Sequence, residues 1–266
     1  MNFGIMQGRL VDSEKKNTIQ YFPSRKWKNE IFLMKKIGIK KLEWTINFEN
    51  MKSNHLFNSK KNKELKSHLA IEKIDVPSVT CDFFMQRPFF KKKKYKKTLL
   101  DLKKVIKLSS NIGVKLIVLP LVDNSSIENI EQEQNLINEI KKISKNLKKN
   151  QKIIFETDYP PKKIIEFMKK LNKKFGINYD TGNSASIGYS FNDEKRYFKY
   201  VKNIHIKDRI FRGGSVRLGK GNYNFKLLFN YLKKIKYSGN LILQTARARN
   251  HVNEILINKK FIMKFL

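Results

Sequence analysis

The stretch TLLDLKKVIKLSSNIGVKLIVLP, residues 98–120, contains a complete change of periodicity. Leu99, Leu102, Ile106 and Ile112 fall along one face of a helix, and Gly113 supplies the stop that a helix end favours. Two residues on, KLIVLP (115–120) is a short run rich in Ile, Val and Leu, which reads as a buried strand.

The same alternation extends outward in both directions. Short apolar runs stand at FGIM (3–6), KKLEW (40–44), VPSVTC (76–81), KIIFE (152–156), FGINYD (175–180), NIHI (203–206) and LILQ (241–244). Longer segments with helical spacing lie between them. WKNEIFLMKKIG (27–38) aligns Trp27, Ile31, Met34 and Ile37 before Gly38, and FKLLFNYLKKI (225–235) is another. Alternating strand and helix implies a parallel sheet. About eight such units in 266 residues is the size of a (β/α)8 barrel. A doubly wound open sheet is the competitor, but no G-x-G-x-x-G follows the first strand. No Gly/Ser-rich linker divides the chain, so the reading is α/β, a single (β/α)8 TIM barrel domain over residues 1–266.

The formal net charge is +34, which taken alone points to nucleic acid or an anionic surface. Its distribution argues otherwise. Lysines occupy almost every helical segment, and Ile and Asn are abundant too. That is a drift of the whole chain, whereas a dedicated binding patch concentrates its charge on one element. No specific nucleic-acid partner is expected. Cys81 is the only cysteine, which excludes an intrachain disulfide and suits a reducing cytoplasm. No apolar run reaches the roughly 20 residues that span a bilayer. MNFGIMQGRL at the start lacks the pattern of a signal peptide, so a cytoplasmic protein without a membrane partner is expected. A homo-oligomer is compatible with the sequence.

Barrel enzymes place their chemistry at the C-terminal ends of the strands. Reading those ends gives Gln7 and Arg9 after strand 1, Glu43 on strand 2, Asp82 after strand 3, Glu156 on strand 5, Asp180 on strand 6, His205 on strand 7 and Gln244 on strand 8. Strand 4 ends in Leu119-Pro120. There are only nine arginines against 48 lysines, and Arg9, Arg87, Arg209, Arg212, Arg217, Arg247 and Arg249 follow strand ends. Arginine offers a planar fork for phosphate or carboxylate, so the placement predicts a small anionic substrate.

At this point the chain resembles the xylose-isomerase-like TIM barrels, often described as sugar phosphate isomerases/epimerases. The resemblance rests on GIMQGRL (4–10), TCDFFMQRP (80–88), IIFETDYPP (153–161), NYDTGNSASIGY (178–189), NIHIKDR (203–209), SVRLGKGNYNF (215–225) and LILQTAR (241–247), taken in order and spacing. It implies one divalent metal held by groups on strands 5 to 8, and two glutamates, on strands 5 and 8, that move the substrate's proton. By that match Glu156, Asp180, His205 and the residue at 244 hold the metal, and Glu156 is the first base. Two positions depart. Asn183 stands where many members have histidine, and Gln244 stands where the second glutamate is usual. An amide oxygen still ligates a metal or bonds a hydroxyl, but it accepts no proton at neutral pH.

Two carboxylates, an imidazole and an amide oxygen form a mostly hard donor set, which favours Mn²⁺ or Mg²⁺. The expected reaction is proton abstraction beside a sugar carbonyl through an enediolate. Glu156 is the base, Gln244 and Lys207 assist, and Gln7, Arg9, Glu43, Asn183, Arg209 and Arg247 contact substrate. With an amide at 244, aldose–ketose isomerisation by one base is favoured over epimerisation. A barrel that keeps ligand binding and has lost catalysis is the alternative. An abasic-site endonuclease needs several histidines for three zinc ions. This chain has His55, His68, His205 and His251, and only His205 ends a strand.

Overall fold

The computed structural model describes residues 2–13 and 20–266. Eight strands, β1 (Asn2–Met6), β2 (Lys41–Thr45), β3 (Asp75–Thr80), β4 (Leu116–Leu121), β5 (Lys152–Thr157), β6 (Phe175–Asp180), β7 (Val201–Ile206) and β8 (Asn240–Leu243), form a closed barrel. Every neighbouring pair is parallel and consecutive, and β8 pairs with β1, Asn2 opposite Asn240, to close the ring. This is the (β/α)8 architecture expected from the alternation.

The main helices are α1 (Trp27–Lys36), α2 (Ser59–Glu72), α3 (Lys97–Ser110), α4 (Ile130–Ile143), α5 (Pro161–Lys169), α6 (Thr181–Ile187), α7 (Phe225–Lys234) and α8 (His251–Met263). Each of the longer ones buries an apolar stripe. In α3 that stripe is Leu102, Val105 and Ile106, while Lys103, Lys104 and Lys107 stay exposed. Gly113 closes the segment with φ of 83°, a left-handed conformation that favours glycine. A two-residue ribbon, Asp208–Arg209 against Ser215–Val216, projects from the loop after β7. No helix among the described residues is long and apolar enough to cross a membrane.

The large apolar core lies between strands and helices. The inside of the barrel is different. Leu116, Val118 and Ile154 on β4 and β5 make a small separate apolar cluster. Strand side chains repeat on one face every second residue. Glu156 therefore follows Ile154 on one face, as Thr80 follows Ser78, Asp180 follows Asn178 and His205 follows Asn203. The interior grows polar toward the C-terminal ends of the strands, where branched apolar residues more commonly fill such barrels.

Candidate metal centre and active site

Asp180 ends β6 and is also the N-cap of α6. Its Oδ1 accepts the backbone N–H of Asn183 at 2.8 Å, which satisfies one orphan donor of the helix. The cap fixes the carboxylate and leaves Oδ2 buried without a hydrogen bond. Lys207 Nζ lies 3.9 Å from that oxygen. The lysine passes over Gly182, where an added Cβ would come within 2.7 Å of Lys207 Cγ.

His205 is held from both sides. Its Nε2 is 2.7 Å from Glu43 Oε1, and its Nδ1 is 3.0 Å from Glu156 Oε2. Glu43 is fully buried and also accepts from Ser78 Oγ at 2.6 Å, Thr80 Oγ1 at 2.5 Å and Asn203 Nδ2 at 2.9 Å. Burying a carboxylate costs several kcal/mol unless it is paired and hydrogen-bonded, and here four groups meet it. Burial pushes the Glu43 carboxyl up, but the imidazole and the hydroxyls outweigh it and hold the group below the usual range. Burial likewise pulls His205 down, and Glu43 and Glu156 together drive it well above the ordinary histidine range. Asn178 Nδ2 donates to Glu156 Oε2 at 2.9 Å, and Asn183 Nδ2 donates to Glu156 Oε1 at 3.0 Å. Glu156 is buried too, yet His205 and Lys207 keep it below the ordinary carboxylate range.

A cleft of about 500 Å³ opens above these groups. Glu156, Asn183, Lys207, Arg209 and Gln244 line it, together with Gln20, Thr80 and Asp82. Gln244 Nε2 donates to Gln20 Oε1 at 3.0 Å, and Gln20 Nε2 donates to Asp82 Oδ2 at 2.6 Å. Gln244 Oε1 is buried without a hydrogen bond. Arg209 donates through Nη1 to Asn183 Oδ1 at 3.4 Å and through Nε to Gly213 O at 3.0 Å.

Four residues expected on the substrate lie elsewhere. Glu43 pairs in register with Ser78, two residues short of the strand end, so it sits one layer deeper and is spent on His205. Gln7 is fully buried and accepts the Thr45 N–H. Arg9 is 2 % exposed, beside Glu30 and Arg247, and burial lowers it to about 9. Arg247 donates to the Val11 carbonyl at 3.1 Å. None of the four is on the cleft lining. The wider arginine argument narrows in the same way. Arg217 is committed to Glu254, at 2.6 Å, and Arg87 lies over the Phe48 ring, 3.5 Å from its centre. Asn178, Asn203, Ser78 and Thr80 were missed, although each shares a face with a neighbour two residues away. Gln20 lies in the long loop after β1, where no periodicity marks it.

Glu156, Asp180 and His205 each offer a ligand atom, all within 4.8 Å of one another, and they are the one such cluster among the described residues. Ligand atoms at roughly 2.0–2.6 Å from one cation span about that distance. The orphaned Asp180 Oδ2 and Gln244 Oε1 are acceptors that want a cation, so the residues fit a hard divalent ion. The other histidines are placed for different work. His55 and His68 pack on Trp27, with ring centres 4.6 and 5.1 Å away, and His251 meets Asp12 at 3.0 Å.

The family model described as xylose isomerase-like TIM barrel matches residues 32–262. Among solved structures, the chain is similar to a xylose isomerase-like TIM barrel protein from Mycobacterium smegmatis in complex with magnesium, at 13% identity and a TM-score of 0.73, covering 98% of this chain and 95% of that one. It is similar to the IOLI protein with a binding zinc atom, at 17% identity and a TM-score of 0.77, covering 100% and 99%. A D-allulose 3-epimerase from Methylomonas sp. in complex with D-allulose matches at 12% identity and a TM-score of 0.74, covering 100% and 97%. At these identities the likeness is one of fold. No curated protein matches the chain.

Proposed function

Because the chain belongs to the xylose isomerase-like TIM barrel family, we propose that it isomerises or epimerises a small sugar or sugar phosphate by moving a proton at the carbon beside the carbonyl. The observation that carries this reading is Glu156. Its carboxylate is oriented by hydrogen bonds from Asn178 and Asn183 on the wall of a sugar-sized cleft, and against its burial His205 and Lys207 favour the ionised form. Glu156, Asp180, His205 and Gln244 would hold a divalent cation, Mg²⁺ or Mn²⁺ by the hardness of the donors. Such an ion supplies a Lewis acid for the sugar's oxygens. Glu156 removes the proton, and Lys207 faces the negative charge that then develops on the substrate oxygen. Arg209 is placed to hold a phosphate or a hydroxyl at the rim. An aldose–ketose conversion needs only this one base to carry a proton between adjacent carbons, an epimerisation needs a second acid/base group, and Gln244 binds rather than titrates.

The test is proton exchange with D₂O, followed by NMR, across D-allulose and a panel of ketopentose and ketohexose phosphates with Mg²⁺ or Mn²⁺. Glu156→Gln should lower the rate by about 10²–10⁴. Asp180→Ala and His205→Ala should lose stoichiometric metal. Retention of metal by both variants would overturn the ligand assignment. Sugar binding without any exchange would favour the second reading, a binding barrel without turnover, for which Gln244 is the support.

A further inference from the structure

The cleft holds a second carboxyl that the reaction above leaves unused. Four acidic residues line it: Asp82, Asp123, Glu156 and Asp158. Asp123 is exposed, and Asp158 is partly exposed and accepts the Ser126 hydroxyl. Asp208, close in sequence to Lys207, is fully committed as an acceptor for the N–H groups of Gly219, Gly221 and Tyr223. Asp82 is different. It is 5 % exposed, stands just past the end of β3, and belongs to a hydrogen-bonded chain that runs through Gln20 to Gln244. Among the described residues its hydrogen bonds, from Gln20 Nε2 and Asn47 Nδ2, both fall on Oδ2. Oδ1 is left for a ligand. Glu156, Asn178 and Asn183 form one hydrogen-bonded group on the cleft, and Asp82, Gln20 and Gln244 form another.

We propose that Asp82 is the second proton-transfer group of this cleft, taking the role that an amide at position 244 cannot fill, so that the protein inverts a sugar carbon. The proposal rests on the reading of Glu156 as base. The step balances without a co-reactant. Glu156 accepts the proton from the carbon beside the carbonyl, and the C–H electron pair delocalises into the enediolate. Protonated Asp82 then delivers its proton to the same carbon from the other side and becomes a carboxylate. Exchange with solvent resets both groups, and nothing is oxidised or reduced. The surroundings of Asp82 suit a donor at neutral pH. Burial first, and then the charges of Glu156 and Glu43, push it up to about 7 against the opposing pull of Gln20 and Arg9. A general acid works best with a pKa near the working pH.

The experiment uses the Mg²⁺-loaded protein with D-allulose and its C3 epimer, D-fructose, each in D₂O. In Asp82→Asn, one epimer should still exchange its C3 proton at near the wild-type rate, while inversion falls by about 10²–10⁴. In Glu156→Gln the other epimer should be the one that exchanges. A purely structural role for Asp82 would depress exchange of both epimers equally, and that outcome overturns the proposal, as does inversion by Asp82→Asn within threefold of wild type. A second readout needs no substrate. In the metal-free protein the infrared carbonyl band of a protonated carboxyl, lost in Asp82→Asn, should titrate near pH 7, and titration in the ordinary aspartate range overturns the assignment. Wild-type protein that exchanges neither sugar while the band titrates near 7 would count against the base reading of Glu156, and not against Asp82 as a neutral acid.

Discussion

His205 depends on Glu43 for its aim. The carboxylate on Nε2 fixes the ring so that Nδ1 faces Glu156. Partners of this kind behind a metal-binding histidine are typically worth 10–100-fold in affinity. Glu43→Gln should therefore weaken Mn²⁺ binding by about that factor in a calorimetric titration, though residue 43 is not itself a proposed ligand; unchanged affinity would remove it from the metal's support. The arginines divide at the same scale. Arg209→Ala should raise KM for a phosphorylated sugar severalfold with little change in Tm, while Arg247→Ala should lower Tm and leave KM nearly unchanged. The opposite pattern would return Arg247 to the cleft. The sequence shows both arginines equally well after strand ends. It does not show that one of them turns back onto the Val11 carbonyl, because that partner is 236 residues away.

At the scale of elements, the junction of β6 and α6 does two jobs with one carboxylate. This was legible in part. FGINYD ends in an acid at a strand end, but the hydrogen bond to Asn183 that sorts its two oxygens is a matter of backbone geometry. The same region carries a buried carboxyl outside the site. Glu194 accepts from Tyr179 Oη at 2.7 Å and Ser184 Oγ at 2.8 Å, and burial raises it to about 7 against those bonds. A folded pKa above the unfolded one means that the folded state binds the proton more tightly. The contribution to stability is thus complete below about pH 4.5 and is lost as pH rises through 7. Glu194→Gln keeps an acceptor and never ionises. Its stability relative to wild type should rise between pH 5 and pH 8, by up to about 3 kcal/mol in urea denaturation. A difference that is the same at both pH values would show that Glu194 does not titrate in this range.

For the whole molecule, the barrel was readable because each strand is a short apolar run and each helix a separate periodic segment, with Gly38 and Gly113 marking stops. The charge was readable as dispersed, and the exposed lysines of α2 and α3 keep to outer helix faces. Duplex DNA should accordingly bind weakly and release between about 50 and 200 mM salt. Tight, salt-resistant binding would point to an organised basic surface. The polar interior of the barrel was the least legible feature, since no local pattern distinguishes a strand residue facing the lumen from one facing a helix. That interior has a kinetic consequence. Glu43 and His205 are 162 residues apart in sequence, and their contact joins β2 to β7 across the ring. Closing so long a loop is entropically expensive and is deferred until enough other structure is in place. A chain still emerging during synthesis, or one folded only through its first half, lacks the histidine and has no use for the ion. On the proposed ligand assignment, cation capture would then report completion: only a fully assembled molecule would take up the metal, and a truncated or half-folded one would stay chemically silent.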